Sequence, residues 1–255
     1  MSVAAIIPAR YASTRFPGKP LAAETGKPLI QHVYEAVLAA ERVDRVIVAT
    51  DDDRIAGAVS AFGGQVAMTR ADHASGTDRV AEVVEQLAAD GVLPDLVINV
   101  QGDEPEMEPD AIDALVELMA SHPTASMGTL ACRFSRREDV ENPACVKVIV
   151  DSDGHAIYFS RSLIPYPRET GGQVDDPGRW LLHLGIYAYR PTFLKELTRA
   201  PTCTLEQTEQ LEQLRALDMG HKIAVGIIER SSTGIDTPAQ YAAFVERYRA
   251  RVKNG

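Results

Sequence analysis

Short β-branched and aliphatic runs alternate with helix-patterned segments through the first hundred residues, and few folds accommodate that rhythm. Val3-Ala4-Ala5-Ile6-Ile7 is a brief apolar run. Pro28 then opens a segment whose apolar positions, Leu29, Val33, Ala36, Val37 and Ala40, follow a helical period. Arg45–Thr50 is continuous enough to read as a strand buried on both faces of a parallel sheet. Asp51-Asp52-Asp53 starts a second helix that Gly63-Gly64 ends. A short strand near Val66–Met68, a helix over Thr77–Ala89 and a strand at Leu96–Val100 repeat the pattern. Right-handed βαβ units follow, and they predict an α/β fold with a doubly wound, mostly parallel sheet. Such sheets bind ligands at the carboxyl ends of their strands.

Beyond residue 125 the rhythm changes. Residues 126–134, 145–150, 156–159, 180–189 and 222–228 read as strands, and Asp153-Gly154 is a hairpin turn. Pro and Gly mark 165–178 as a loop. Helices are predicted over about Leu205–Leu217 and Pro238–Val252, the first placing Glu209, Glu212 and Gln213 on one face. No flexible linker, low-complexity tract or repeat divides the chain. The expectation is one domain, 1–255, carrying a β-rich insertion at about 126–190 that adds a second ligand surface or a subunit contact.

Composition excludes several functions. No run of 18 apolar residues occurs, so no transmembrane helix is expected, and the strand-like start without a basic n-region or cleavage site leads us to expect no secretory leader. Cys132, Cys145 and Cys203 have no CxxC spacing, which argues against a disulfide framework or a structural zinc site and for a cytoplasmic protein. The net charge of −10 argues against a nucleic-acid partner. It leaves room for a small anion in a local cationic pocket.

That pocket has a candidate. The loop Pro8–Leu21 holds Arg10, Arg15 and Lys19 beside hydroxyls and Gly18, at the carboxyl end of the first strand. A solvated basic turn would explain the charges alone, but this is where doubly wound folds bind phosphate. Neither GxGxxG nor GxxxxGK[ST] occurs, which disfavours a nicotinamide oxidoreductase and an ATPase. After the strand at Leu96–Val100, Asp103 stands where a carboxylate could hold Mg²⁺ next to a phosphate loop. Glu104, Glu106 and Glu108 read as solvated charge or a helix's first turn. His32, His73, His122, His155 and His221 show no metal spacing and are assigned no chemistry.

The string Arg10-x-x-Ser13-x-Arg15-x-Pro17-x-Lys19-x-Leu21 resembles the signature of the sugar-acid cytidylyltransferases. Met68–Arg79, Val97–Pro105, Tyr158–Arg161, His183–Arg190, Leu211–Arg215 and Thr233–Pro238 extend the resemblance, in order, toward the enzymes that activate 3-deoxy-manno-octulosonate (Kdo) for lipopolysaccharide synthesis. Asp78 departs mildly from the family's usual Glu. The resemblance implies a nucleotide-diphospho-sugar transferase-like fold and transfer of CMP from CTP to Kdo with release of pyrophosphate. It also implies Mg²⁺ as cofactor and a homodimer. Arg10, Arg15 and Lys19 would hold the triphosphate, with Ser13 beside them, and Ala9 would offer backbone contacts to cytosine. Arg70, Ser75, Gly76 and Arg79 match the base-recognition segment, although Ser-Gly-Thr-Asp is also a common turn and helix cap. Asp103 and Asp236 would ligate magnesium, although Asp236 alone reads as a helix N-cap before Pro238. Gln101, Arg161, His183, Tyr187, Glu212 and Gln213 would meet the sugar acid; on its own, His183 reads as a core histidine. Other sugar acids, 8-amino-Kdo or a sialic acid, and a catalytically silent nucleotide-binding module remain alternatives.

Overall fold

The computed structural model describes residues 1–12, 15–229 and 234–254. Its elements, in chain order, are β1 Val3–Pro8, α1 Leu29–Leu38, β2 Arg45–Thr50, α2 Asp53–Ala61, β3 Gln65–Met68, α3 Gly76–Ala89 and β4 Leu96–Asn99. Then come α4 Pro109–Ser121, β5 Met127–Arg133, α5 Arg137–Glu141, β6 Lys147–Val150, β7 Ala156–Ser160 and β8 Leu181–Tyr189. The remainder are α6 Pro191–Arg199, α7 Thr204–Glu209, α8 Gln213–Asp218, β9 Ile223–Ile228 and α9 Pro238–Asn254. The chain groups into two compact units, Met1–Asp113 with Ser232–Gly255, and Ala114–Ser231.

The first unit carries the predicted parallel sheet, with strands ordered β3-β2-β1-β4. Val3–Ile7 of β1 are all buried, as a strand covered on both faces requires. The strand order reverses between β1 and β4, so the loops leaving their carboxyl ends frame a crevice. Gly102 lets those loops touch: a Cβ there would lie 2.8 Å from the Pro8 carbonyl oxygen, closer than any side chain tolerates. Helix starts follow their caps, with Asp52 accepting from the Arg54 amide before α2 and Ser75 forming a capping box with Asp78 before α3. The Asp that departs from the family's Glu thus completes the box. Helix α9 joins this unit by packing Tyr241, Phe244 and Val245 with Leu29 and Ile235. Glu106, expected to be solvated, is instead held by Arg247 and Arg251 of α9, at 2.9 Å from the latter.

In the second unit β5 pairs antiparallel with β8 and parallel with β9. The Asp153-Gly154 turn joins β6 and β7 as predicted, and β6 continues onto β8. The segment expected as a β-rich insertion lies inside this unit. Helix α6, not expected from the sequence, starts at Pro191 and buries Phe193, Leu194 and Leu197. The single helix expected over 205–217 is two, α7 and α8, parted by Gln210 in the left-handed region at φ 54°. The cause is polar. Glu209 leaves the helix face to accept from Ser160 Oγ (2.6 Å) and the Arg161 amide (2.9 Å). The carbonyls of Glu209 and Gln210 are drawn to the Arg161 guanidinium at 2.7 and 3.4 Å. The shared face proposed for Glu209, Glu212 and Gln213 therefore does not exist.

Candidate active site

A cleft of about 260 Å³ opens at the carboxyl ends of β1 and β4, within the first unit. It is lined by Ala9, Arg10, Arg15 and Lys19 from the loop after β1, and by Gln101 and Asp103 from the loop after β4. Ser75, Gly76 and Arg79 reach it from the start of α3, and Asp236 from the segment before α9. Residues distant in sequence thus converge at the switch point of the sheet. Ser13 and Thr233 fall outside the described residues.

Lys19 is the hub. Its side chain is mostly buried, and its ammonium lies 2.7 Å from Asp103 Oδ2, 2.7 Å from the Ile235 carbonyl and 3.7 Å from Asp236 Oδ1. Arg15 pairs with the same Asp236 oxygen at 3.0 Å. A backbone bond from the Ile235 amide to the Asp103 carbonyl, 2.8 Å, stitches the two aspartate segments together. Asp236 does not cap α9. Thr237 does, its Oγ1 accepting from the Gln240 amide at 3.3 Å, which leaves the Asp236 carboxylate to the cations. Arg10 is exposed on the cleft and has no ion-pair partner among the described residues.

The base-recognition candidates separate. Ser75 is both the cap of α3 and a wall of the cleft, so the two readings of that segment coexist. Arg79 is buried, bound to Thr69 Oγ1 and 3.1 Å from Asp51. The Ala9 amide is spent on the Ala49 carbonyl at 2.8 Å, which leaves its carbonyl as the backbone group able to meet a base. Arg70 does not line the cleft and lies exposed, 3.6 and 3.7 Å from Asp72 and Glu82. His73, assigned no chemistry from sequence, does line the cleft and bonds Glu82. Its place in the matched segment Met68–Arg79 was the available signal.

The remaining candidates sit in the second unit. Tyr187 donates to Gln213 Oε1 at 3.3 Å, while Gln213 Nε2 is buried without a hydrogen-bond partner among the described residues. The His183 ring lies 5.5 Å from that of Tyr187 and edge-on to Phe159 at 4.9 Å. Thr129 has one hydroxyl proton and two carbonyls in reach, Ile186 at 2.7 Å and Leu184 at 3.1 Å; given to either, it leaves Thr129 Oγ1 to accept from His183 Nε2 at 3.0 Å. Burial pushes the His183 pKa down to about 3, so the ring is neutral with Nδ1 as its acceptor. Glu212 precedes α8 and is half-buried. Arg161 spends its guanidinium on the carbonyls of Pro143 (3.1 Å), Glu209 and Gln210.

Two carboxylates beside mobile phosphate ligands suit Mg²⁺, which takes one or two carboxylates and completes its shell with phosphate oxygens and water. Asp103 and Asp236, both partly exposed on a cationic cleft, fit that requirement.

The chain matches the cytidylyltransferase family profile over residues 4–223. It is 47% identical to the 3-deoxy-manno-octulosonate cytidylyltransferase of Geobacter sulfurreducens, with 97% of this chain and 99% of that protein aligned. It is 50% identical to the same enzyme of Syntrophotalea carbinolica, over 93% and 95% of the two chains. A solved structure of CMP:2-keto-3-deoxy-manno-octonic acid synthetase complexed with CTP superposes with a TM-score of 0.90 at 42% identity, over 98% of this chain and all of that one. Cleft, fold and these likenesses agree: the chain belongs to the cytidylyltransferases, within the 3-deoxy-manno-octulosonate cytidylyltransferase family.

Proposed function

We propose that the chain joins CTP and Kdo to give CMP-Kdo and pyrophosphate, the activation step of lipopolysaccharide synthesis. The observation that carries the reading is the triad of cations, Arg10, Arg15 and Lys19, facing Asp103 and Asp236 across one cleft. The anomeric hydroxyl of Kdo attacks the α-phosphorus, the bond to the β-phosphate oxygen breaks, and the hydroxyl proton passes to solvent. Such chemistry asks the protein mainly for positioning and for charge placed where the leaving group becomes more negative. Arg10, Arg15 and Lys19 supply that charge. Ser75, Gly76 and the Ala9 carbonyl border the space for cytosine, and Arg79 holds that wall through Thr69 and Asp51. Mg²⁺, held by Asp103 and Asp236, would neutralise phosphate charge and lower the pKa of the attacking hydroxyl when bound.

For the sugar acid, Gln213 Nε2 offers an orphaned donor and His183 Nδ1 an acceptor, beside the Tyr187 hydroxyl and Glu212. Arg161 serves them by fixing the break at Gln210 that sets where α8 begins. Gln101, in the loop after β4, lines the cleft of the first unit. No helix among the described residues is long and apolar enough to cross a membrane, and a CTP-consuming enzyme belongs in the cytoplasm with its nucleotide. A homodimer is proposed, giving twice 27.7 kDa by light scattering; a strict monomer at micromolar concentration removes that part of the reading. Calorimetric titration tests the nucleotide: CTP binding well above ATP supports the reading, and equal binding contradicts it.

A further inference from the structure

The loop that carries Arg10, Arg15 and Lys19 is closed at a neck. The Gly18 amide donates to the Tyr11 carbonyl at 3.1 Å, joining the residue after Arg10 to the residue before Lys19. The Tyr11 ring covers this neck. A Cβ on Gly18 would lie 3.1–3.2 Å from the ring, and Gly18 has φ +70°, so glycine is needed for both contact and conformation. On the ring sits Arg54, its guanidinium carbon 3.3 Å from the centroid.

Arg54 is itself anchored. Its Nε and Nη2 fork onto Asp52 Oδ1 and Oδ2 at 2.9 and 2.6 Å, and its amide donates to the same carboxylate at 2.9 Å. The fork holds the Asp52 carboxyl down to about 2, so the anchor stays ionised at working pH. Asp52, Arg54, Tyr11 and Gly18 therefore form one stack running from the first turn of α2 to the neck of the loop. Neither Tyr11 nor Arg54 lines the cleft.

We infer that Arg54 and Tyr11 are positioning residues for the nucleotide: stacked against Gly18, they fix the neck and so the separation of Arg10 and Lys19 before CTP arrives. A neck already fixed loses less entropy on binding, so the stack acts on nucleotide affinity rather than on the chemical step. The inference rests on CTP as the substrate, but its structural half is testable without any nucleotide.

The experiment compares Arg54→Ala, Tyr11→Ala, Tyr11→Phe and the double Arg54→Ala/Tyr11→Ala. Arg54 is exposed, and Asp52 still caps α2 in its absence, so the alanine variant keeps the fold. Amide exchange at Gly18 in the nucleotide-free protein should quicken in both alanine variants and not in Tyr11→Phe, which keeps the ring. The CTP KM should rise about two- to fivefold, the scale of one exposed cation–π contact, with kcat and the Kdo KM unchanged. The double variant should be no worse than either single one. Unchanged Gly18 exchange, unchanged CTP KM, multiplicative losses in the double variant, or failure of Phe to restore Tyr11→Ala would each overturn the inference. If the unaltered protein binds no CTP, the substrate assignment falls, and Gly18 exchange alone still decides whether the stack holds the neck.

Discussion

Lys19 and Asp103, 84 residues apart in sequence, meet at 2.7 Å, and the same ammonium reaches the Ile235 carbonyl. One side chain therefore ties together the loop after β1, the loop after β4 and the segment entering α9. Replacing it with alanine should cost about 10²–10³-fold in turnover, the scale of one lost charge contact to a developing anion. Steady-state kinetics on folded Lys19→Ala checks this, and a loss below about threefold would reduce Lys19 to a structural tie.

The same contact makes a prediction about metal. Without nucleotide, Lys19 and Arg15 neutralise the carboxylates that the divalent ion would need. Mn²⁺ titration followed by electron paramagnetic resonance, with no CTP present, should therefore show tighter binding in Lys19→Gln than in the unaltered protein. The gain expected is about two- to fivefold, the worth of a partly exposed ion pair. Weaker binding in the variant would mean the ammonium does not compete for these carboxylates.

Asp103→Asn and Asp236→Asn should each abolish most turnover with the fold intact. Because both would serve one metal arrangement, the double variant should be scarcely slower than either single one. Strictly multiplicative losses, or full activity in EDTA, would contradict a shared role.

His183 gives a pH dependence with a definite sign. Burial lowers its folded-state pKa to about 3, below the unfolded value near 6.5. Between those values the unfolded chain binds the extra proton, so stability rises with pH and is lost as pH falls below about 6.5. From pH 6.5 to 5 this group removes about 2 kcal/mol, at about 1.4 kcal/mol per unit. Denaturant melts of His183→Gln should show a shallower acid slope than those of the unaltered protein. An identical slope would place the imidazole in contact with water.

The parallel sheet was legible because buried strands and their helices write period and punctuation directly into residues 3–100. The cleft was legible at its edges: the cationic loop and Asp103 both leave carboxyl strand ends. Asp236 was legible only through the family resemblance, since it is the fold that brings the segment before α9 to Lys19 and hands the cap to Thr237. The break at Gln210 was hidden because neither glycine nor proline marks it and Leu211, Leu214 and Leu217 keep a helical period from the next residue on. A tertiary network of Glu209, Ser160 and Arg161 overrides that local signal. The pairing of His73 with Glu82 escaped because a lone histidine carries no spacing to read.

Substrate identity is tested most directly by pyrophosphate release measured across CTP, UTP, ATP and GTP against Kdo, 8-amino-Kdo and N-acetylneuraminate. With Mg²⁺ present, CTP with Kdo should give the fastest release and a product of the mass of CMP-Kdo. Equal or faster release with ATP, or with N-acetylneuraminate in place of Kdo, would contradict it.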